Sequence, residues 1–282
     1  MPQPDRLLPL LHRAADAFRA TPGRTGHVIR LTDAAEVCIA GDLHGNVENL
    51  ARLLKVAALA NHPRRHLVVQ EVIHSKFRYP DGSDKSHQML DLIAALKCQF
   101  PERVHFLPGN HELAQWGNRR IGKGDEDQNE GFRQGVAFAY KEHAAAIYDA
   151  YMQIIGAAPL VVRAPNRVYL CHSVPAAQRL ETFDPAVLER DDFTPQDLVL
   201  GGTVHSLVWG RSGTEESVAT FLAKVDADLV ITGHIPQDKG YAVPNSRQLI
   251  LDAQASPACY CLFPCDRALS QAELVTMIGT LS

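Results

Sequence analysis

Four short apolar runs in this chain each stop in a short polar cluster that contains histidine. They are VCIAGDLHGN at 37–46, VHFLPGNHE at 104–112, VYLCHS at 168–173 and LVITGH at 229–234. A run of about four aliphatic residues is too short for a buried helix and suits a strand covered on both faces. Strands are therefore expected at Val37–Ala40, Val104–Leu107, Arg167–Cys171 and Leu229–Thr232, and runs of the same kind add Leu67–Val72, Leu249–Leu251 and Cys259–Phe263. Between the early strands lie helical patterns at Val47–Ala60 and Ser86–Phe100; in the first, Val47, Leu50, Leu53, Leu54, Ala57 and Ala58 line one face. Strand and helix alternating in the first half, then strands with fewer helices, predict a layered α/β fold.

The polar, glycine-rich stretch 117–134 predicts a long loop beside whatever site the strand ends form, followed by a helix-rich segment from Val136 to Ile155. Residues 1–30 read as an amphipathic helical extension. No repeat, low-complexity block or composition shift divides the 282 residues, so a single domain is expected over 1–282.

Composition removes several classes of function. With 46% hydrophobic and 21% charged residues and no apolar run of membrane-spanning length, the chain reads as a globular protein with no membrane partner. A formal charge of −4 gives no reason to expect nucleic acid. Arg6, His12, Arg13 and Asp16 interrupt the first apolar stretch, so it lacks the centre of a secretory signal and a cytoplasmic location is expected. Cys38, Cys98 and Cys171 sit in apolar segments as small buried thiols. Cys259, Cys261 and Cys265 match no zinc spacing. Oligomeric state is not legible.

In layered α/β sheets, ligand sites collect where strands end, because the loops there converge. Asp42, His44, Asn110, His111, His172 and His234 would then face one space. Their oxygens and imidazoles suit divalent manganese, iron or zinc. Gly41, Gly45, Gly109 and Gly233 would allow positive φ and close approach to the main chain.

The series GDLHGN, GNHE, a strand-end histidine and TGH resembles the calcineurin-like metallophosphoesterases, and within them the serine/threonine protein phosphatase branch. The resemblance implies a β-sandwich flanked by helices and two metal ions bridged by a carboxylate and a hydroxide that attacks phosphorus in line. Carried over, Asp42 and His44 would bind the first ion, and Asn110, His172 and His234 the second. His111 would protonate the leaving oxygen, with Glu112 in a supporting or turn role.

The family's second motif, GDxxDRG, is replaced here by QEVIHSK at 70–76. Glu71 stands at the bridging aspartate, one methylene longer. His74 stands at the aspartate that supports the catalytic histidine, and could be a further ligand, a replacement acid or a hydrogen-bond partner. Ser75 stands where an arginine grips phosphate, and neither it nor Lys76 offers a planar fork. Arg211 could touch phosphate instead, with Arg119 and Arg120 as second candidates and His205 nearby in sequence. Asp252 could orient a ligand histidine or simply shape a turn, while His87 and His105 read as ordinary helix and strand residues. Metal-dependent hydrolysis of phosphate esters is expected, on phosphoserine or phosphothreonine, a nucleotide or another small phosphomonoester. The competing expectation is a protein that keeps the fold and binds without turnover.

Overall fold

The computed structural model describes residues 3–122, 126–211 and 213–281. The first half of the chain runs α1 (Pro4–Arg19), β1 (Arg24–Thr25), β2 (Val28–Arg30), β3 (Glu36–Asp42), α2 (Val47–Ala57) and β4 (Arg65–Gln70). It continues through α3 (His87–Gln99), β5 (Val104–Leu107), α4 (Asn110–Trp116), α5 (Gln128–Tyr140) and α6 (Ala144–Ala157). Next come β6 (Val161–Arg163), β7 (Val168–Cys171), α7 (Thr203–Trp209), α8 (Glu215–Lys224) and β8 (Leu229–Thr232). The chain closes with β9 (Tyr241–Ala242), β10 (Gln248–Leu251), β11 (Cys259–Pro264), α9 (Gln271–Thr276) and β12 (Ile278–Thr280).

These strands form two sheets, ordered β1-β2-β6-β7-β8-β10-β9 and β12-β11-β3-β4-β5. The inner faces meet through Val37, Ile39, Val68 and Leu107 of one sheet and Leu170, Ile231, Leu249 and Leu251 of the other. Helices α1, α2, α3, α5 and α6 cover the outer face of the smaller sheet, and α7 and α8 cover that of the larger. Covered on both sides, β4, β5 and β8 are buried at every residue, which is why they do not show the alternation of a half-exposed strand.

Within each sheet the site-bearing strands are parallel: β3, β4 and β5 in one, β7, β8 and β10 in the other. Their carboxyl ends therefore lie at one edge of each sheet. A parallel bridge between Asp42 and Asp252 joins those edges, and Ala253 N donates to Asp42 O at 3.1 Å. The join needs glycine at 41, since a Cβ there would stand 1.9 Å from Leu251 O. It brings Asp42 of one sheet beside the histidines of the other.

Two segments differ from the sequence reading. The helix within 1–30 ends at Arg19, and residues 28–30 are strand. Leu7, Leu11, Ala14 and Phe18, spaced by three or four, bury one stripe of α1 against α3 and α6, so it is part of the core rather than an appendage. Leu11→Ala should destabilise the fold by about 2–5 kcal/mol in urea denaturation, the range for a fully buried leucine. The loop expected over 117–134 ends early, and residues 123–125 of it lie outside the described residues. Helix α5 starts at Gln128 because the Asp127 side chain caps Asn129 N at 3.0 Å and Phe132, Val136 and Tyr140 bury one face.

His66, His87 and His105, buried away from the strand ends, favour the neutral form. Burial pushes His66 and His87 each down to about 4 and His105 further, and His66 Nδ1 lies 3.0 Å from His105 Nε2. Their folded values lie below the ordinary ~6.5, so the unfolded chain takes up protons first as pH falls. Each histidine therefore costs about 1.4 kcal/mol of stability per pH unit below 6.5, down toward its folded value. Asp91, raised to about 6 by burial despite hydrogen bonds from Tyr151 and Tyr140, works in the opposite direction, one group against three. The urea midpoint should drop between pH 7.5 and pH 5, and His66→Leu with His105→Leu should flatten that drop.

Candidate active site

The strand ends meet in a cavity of about 560 Å³ lined by Asp42, His44, Glu71, His74, Asn110, His111, Arg211 and His234, among others. His172 lies buried immediately behind it, within 3.1 Å of both Asn110 Oδ1 and His234 Nδ1 through its Nε2. The structure thus gathers every strand-end residue named from the sequence, together with His74 and Arg211. A larger depression of about 870 Å³ near Trp116 contains none of them.

Glu71 stands at the centre. Its Oε2 is 3.3 Å from His44 Nε2, and its Oε1 is 3.5 Å from His172 Nε2. Two groups of side chains could each hold an ion, His44, Glu71 and His111 on one side and Glu71, His172 and His234 on the other. Asn110 Oδ1 joins the second through His172. Asp42 approaches from β3, with Oδ2 accepting from His234 N at 2.8 Å and Oδ1 3.6 Å from His172 Nδ1.

The donor set fits divalent cations. Asp42 Oδ1, His172 Nδ1, His234 Nε2 and the Gln70 amide are buried polar groups without a hydrogen-bond partner among the described residues, and such groups call for a ligand. The space is kept open by glycine: a Cβ on Gly109 would sit 2.1 Å from Glu71 Oε1, and one on Gly233 would sit 2.2 Å from Asp42 Oδ1.

Charge points the same way. Burial and the neighbouring Glu71 charge push Asp42 well above the usual carboxylate range. Burial would raise Glu71 too, but the adjacent His172, His111 and His44 hold it well below that range. For His44 burial opposes a proton, yet the Glu71 hydrogen bond and the Glu71 and Asp42 charges outweigh it and raise His44 to about 10. Two close buried carboxylates demand positive charge between them.

Backbone strain concentrates in these loops. His44, Glu71, His74 and His234 all have positive φ, at 41°, 30°, 58° and 69°. Of the glycines expected to supply such conformations, Gly45 does so, whereas Gly41, Gly109 and Gly233 are required for space. Left-handed backbone at non-glycine residues costs on the order of 1 kcal/mol each and persists only where surroundings impose it. Around Glu71, Glu112 supplies such surroundings: its Oε1 accepts from Val72 N at 2.7 Å and Ile73 N at 2.9 Å, and its Oε2 accepts from Gly109 N at 2.9 Å. One buried carboxylate thereby fixes the Glu71 loop against the start of α4.

His74 lies beside His111, their Nδ1 atoms 2.9 Å apart, and its Nε2 is 2.9 Å from Gln115 Oε1. Gln115 Nε2 donates to Tyr148 OH at 2.8 Å, so Gln115 Oε1 accepts and His74 carries its hydrogen on Nε2. His74 Nδ1 then accepts from His111 Nδ1–H, which leaves His111 Nε2 for the cavity. Both ring nitrogens of His74 are engaged, so of the three readings open from the sequence, the hydrogen-bond partner fits. Burial pushes His74 down to about 3 and His111 down to about 4.

Several other readings change. Arg119, Arg120 and His205 line a separate crevice with Leu198 and Val204, because α7 turns His205 to stack on Trp209 at 5.7 Å. Asp252 touches no ligand histidine; it accepts from Gln237 N at 2.8 Å and Gln254 N at 3.0 Å, shaping the adjoining loops. Cys259 and Cys261 alternate along β11 and join no metal-holding group among the described residues. Missed from the sequence were Arg78, Trp209 and Gln115. The first two line the cavity and the third orients His74; no local motif marks them.

Two packed sheets with converging parallel strand ends set a carboxylate between two imidazole groups that could each hold an ion. The calcineurin-like phosphoesterase family matches residues 35–238, and the chain belongs to that family. A probable serine/threonine-protein phosphatase from Encephalitozoon cuniculi is 24% identical over 236 residues, 79% of this chain and 48% of that protein. The chain thus spans about half the length of that curated relative. Among solved structures, a protein serine/threonine phosphatase from Saccharomyces cerevisiae, similar to human phosphatase PP5, superposes with a TM-score of 0.66 at 14% identity, covering 93% of this chain and 82% of that one. A cold-active protein-tyrosine phosphatase of a psychrophilic Shewanella gives 0.60 at 13% identity, covering 94% and 84%. These likenesses establish the fold. No helix among the described residues is long and apolar enough to cross a membrane.

Proposed function

We propose that this site hydrolyses phosphate monoesters with two divalent ions, manganese or iron with zinc as another option. Asp42, His44 and Glu71 would hold one ion, and Glu71, Asn110, His172 and His234 the other. The observation that carries this reading is the Glu71 carboxylate, whose two oxygens face two different histidines at 3.3 and 3.5 Å. When bound, the ions supply charge to hold a phosphate and acidify water.

The chain's own residues do the rest. His111, with Nδ1–H turned to His74, presents an unprotonated Nε2 to the cavity, which would take up a proton from cavity water and deliver it to the departing alkoxide. Arg211 lines the cavity with Nη1 3.5 Å from His234 O, placed to steady the phosphate. His74 is a positioning residue, since it acts through His111. Phosphoserine and phosphothreonine are the substrates we infer, on the support of the phosphatase relative.

The test is turnover by metal-stripped protein resupplied with manganese, on an aryl phosphate, a phosphoserine peptide and a nucleoside monophosphate. Manganese-dependent release of phosphate, fastest from the peptide, is the expected result. Preference for the nucleotide would move the substrate class, and binding without turnover on any of the three would leave a phosphate-binding module.

A further inference from the structure

Residues between Ser75 and Ser86 form a small hairpin over the cavity, and it carries a second arginine. Lys85 N donates to Phe77 O at 3.1 Å and Tyr79 N to Ser83 O at 2.8 Å, while Arg78 and Asp84 pair across an antiparallel bridge. Beneath the hairpin the fully buried Asp84 accepts from Ser75 Oγ at 2.7 Å, Ser75 N at 3.0 Å and Ser86 N at 2.8 Å. Ser75 Oγ also accepts from Phe77 N at 3.1 Å, so the hydroxyl is consumed by its own loop. It has nothing left to offer a substrate.

Arg78 differs. It lines the same cavity as His111 and Arg211, half-buried, with Nη1 3.8 Å from the fixed Asp84 carboxylate. Its Nη2 donates to Glu126 Oε1 at 2.9 Å, and the Glu126 side chain is 60% exposed. The two partners are unequal: Asp84 is locked by three hydrogen bonds in the hairpin's base, whereas Glu126 reaches in from solvent. An exposed carboxylate on a guanidinium is a weak partner, while a phosphate can take two parallel charge-assisted bonds from the same fork.

We propose that Arg78 grips the substrate phosphate together with Arg211, and that Glu126 occupies the anion position of Arg78 until phosphate displaces it. This rests on the phosphoesterase reading and assigns a binding residue outside the QEVIHSK segment, three residues beyond Ser75. Opposite effects follow from the two halves of the pair. Arg78→Ala removes the donor, and Glu126→Gln removes the competitor's charge.

The experiment uses the full chain loaded with manganese, with inorganic phosphate as the probe, measured both as an inhibitor of aryl phosphate hydrolysis and directly by calorimetry. Arg78→Ala should raise KM and weaken phosphate binding about tenfold, with Arg78→Lys recovering part of it, because a point charge lacks the fork. Glu126→Gln should lower KM and tighten phosphate by about two- to threefold, the scale of an exposed pair. Unchanged phosphate binding in Arg78→Ala, or weaker binding in Glu126→Gln, overturns the assignment. If Arg78→Ala does not fold, the direction of the Glu126→Gln effect decides alone. If the wild-type protein turns over nothing, the phosphoesterase reading fails separately, and calorimetry still reads the Arg78 contact.

Discussion

Glu71→Ala is expected to lower kcat/KM for an aryl phosphate by about 10³-fold and to reduce the manganese held per chain, measured by elemental analysis after desalting. The carboxylate is the group that both donor clusters share, with Oε1 also accepting from His111 N at 2.9 Å. Removing it leaves His44, His172 and Asp42 around a hole, with no negative charge between the two positions. Glu71→Asp is the more discriminating variant. It restores the residue usual in the family's motif on a backbone shaped for the longer one, with φ at 30° and the strand already ended at Gln70. The carboxylate would retreat by about 1 Å or more, and a misplacement of that size costs about 10²-fold. Full activity in Glu71→Asp would show that the loop adjusts and that the carboxylate position is not limiting.

His111→Ala should cost about 10²- to 10⁴-fold on an alkyl phosphate such as a phosphoserine peptide, the range for losing a general acid. The loss should be much smaller on an aryl phosphate, whose leaving group departs without a proton. His74→Ala should reproduce that contrast at about 10- to 100-fold, because it acts only by holding the His111 tautomer. A merely structural role would instead lower both rates together with the melting temperature. Equal losses on the two substrates would therefore remove His111 from the leaving-group step and His74 from its support.

Much of the centre was legible along the chain because its residues sit at strand ends. GDLHGN, GNHE, CHS and TGH each follow an apolar run directly, and a parallel strand order places such ends side by side. What local sequence could not carry was long-range. Arg78 lies eight residues past the end of β4, and its cavity position depends on a buried Asp84 and a hairpin that no motif announces. Gln115 is one more polar residue on α4 until Tyr148 of α6 fixes which way its amide points. Conversely, Arg119, Arg120 and His205 had suitable chemistry and closeness in sequence, but the rotation of α7 and the course of the loop turned them to another crevice.

By itself the sequence determined the apolar strands, the alternation that orders three of them in parallel, and the donor types that make a divalent centre, since these are properties of short segments. Only the tertiary structure decided that β3 and β10 touch through Gly41, that Glu112 braces the Glu71 loop, and that His74 lies within hydrogen-bond reach of His111. Those outcomes depend on distances between residues 37 to 210 positions apart, which packing sets and no local pattern encodes.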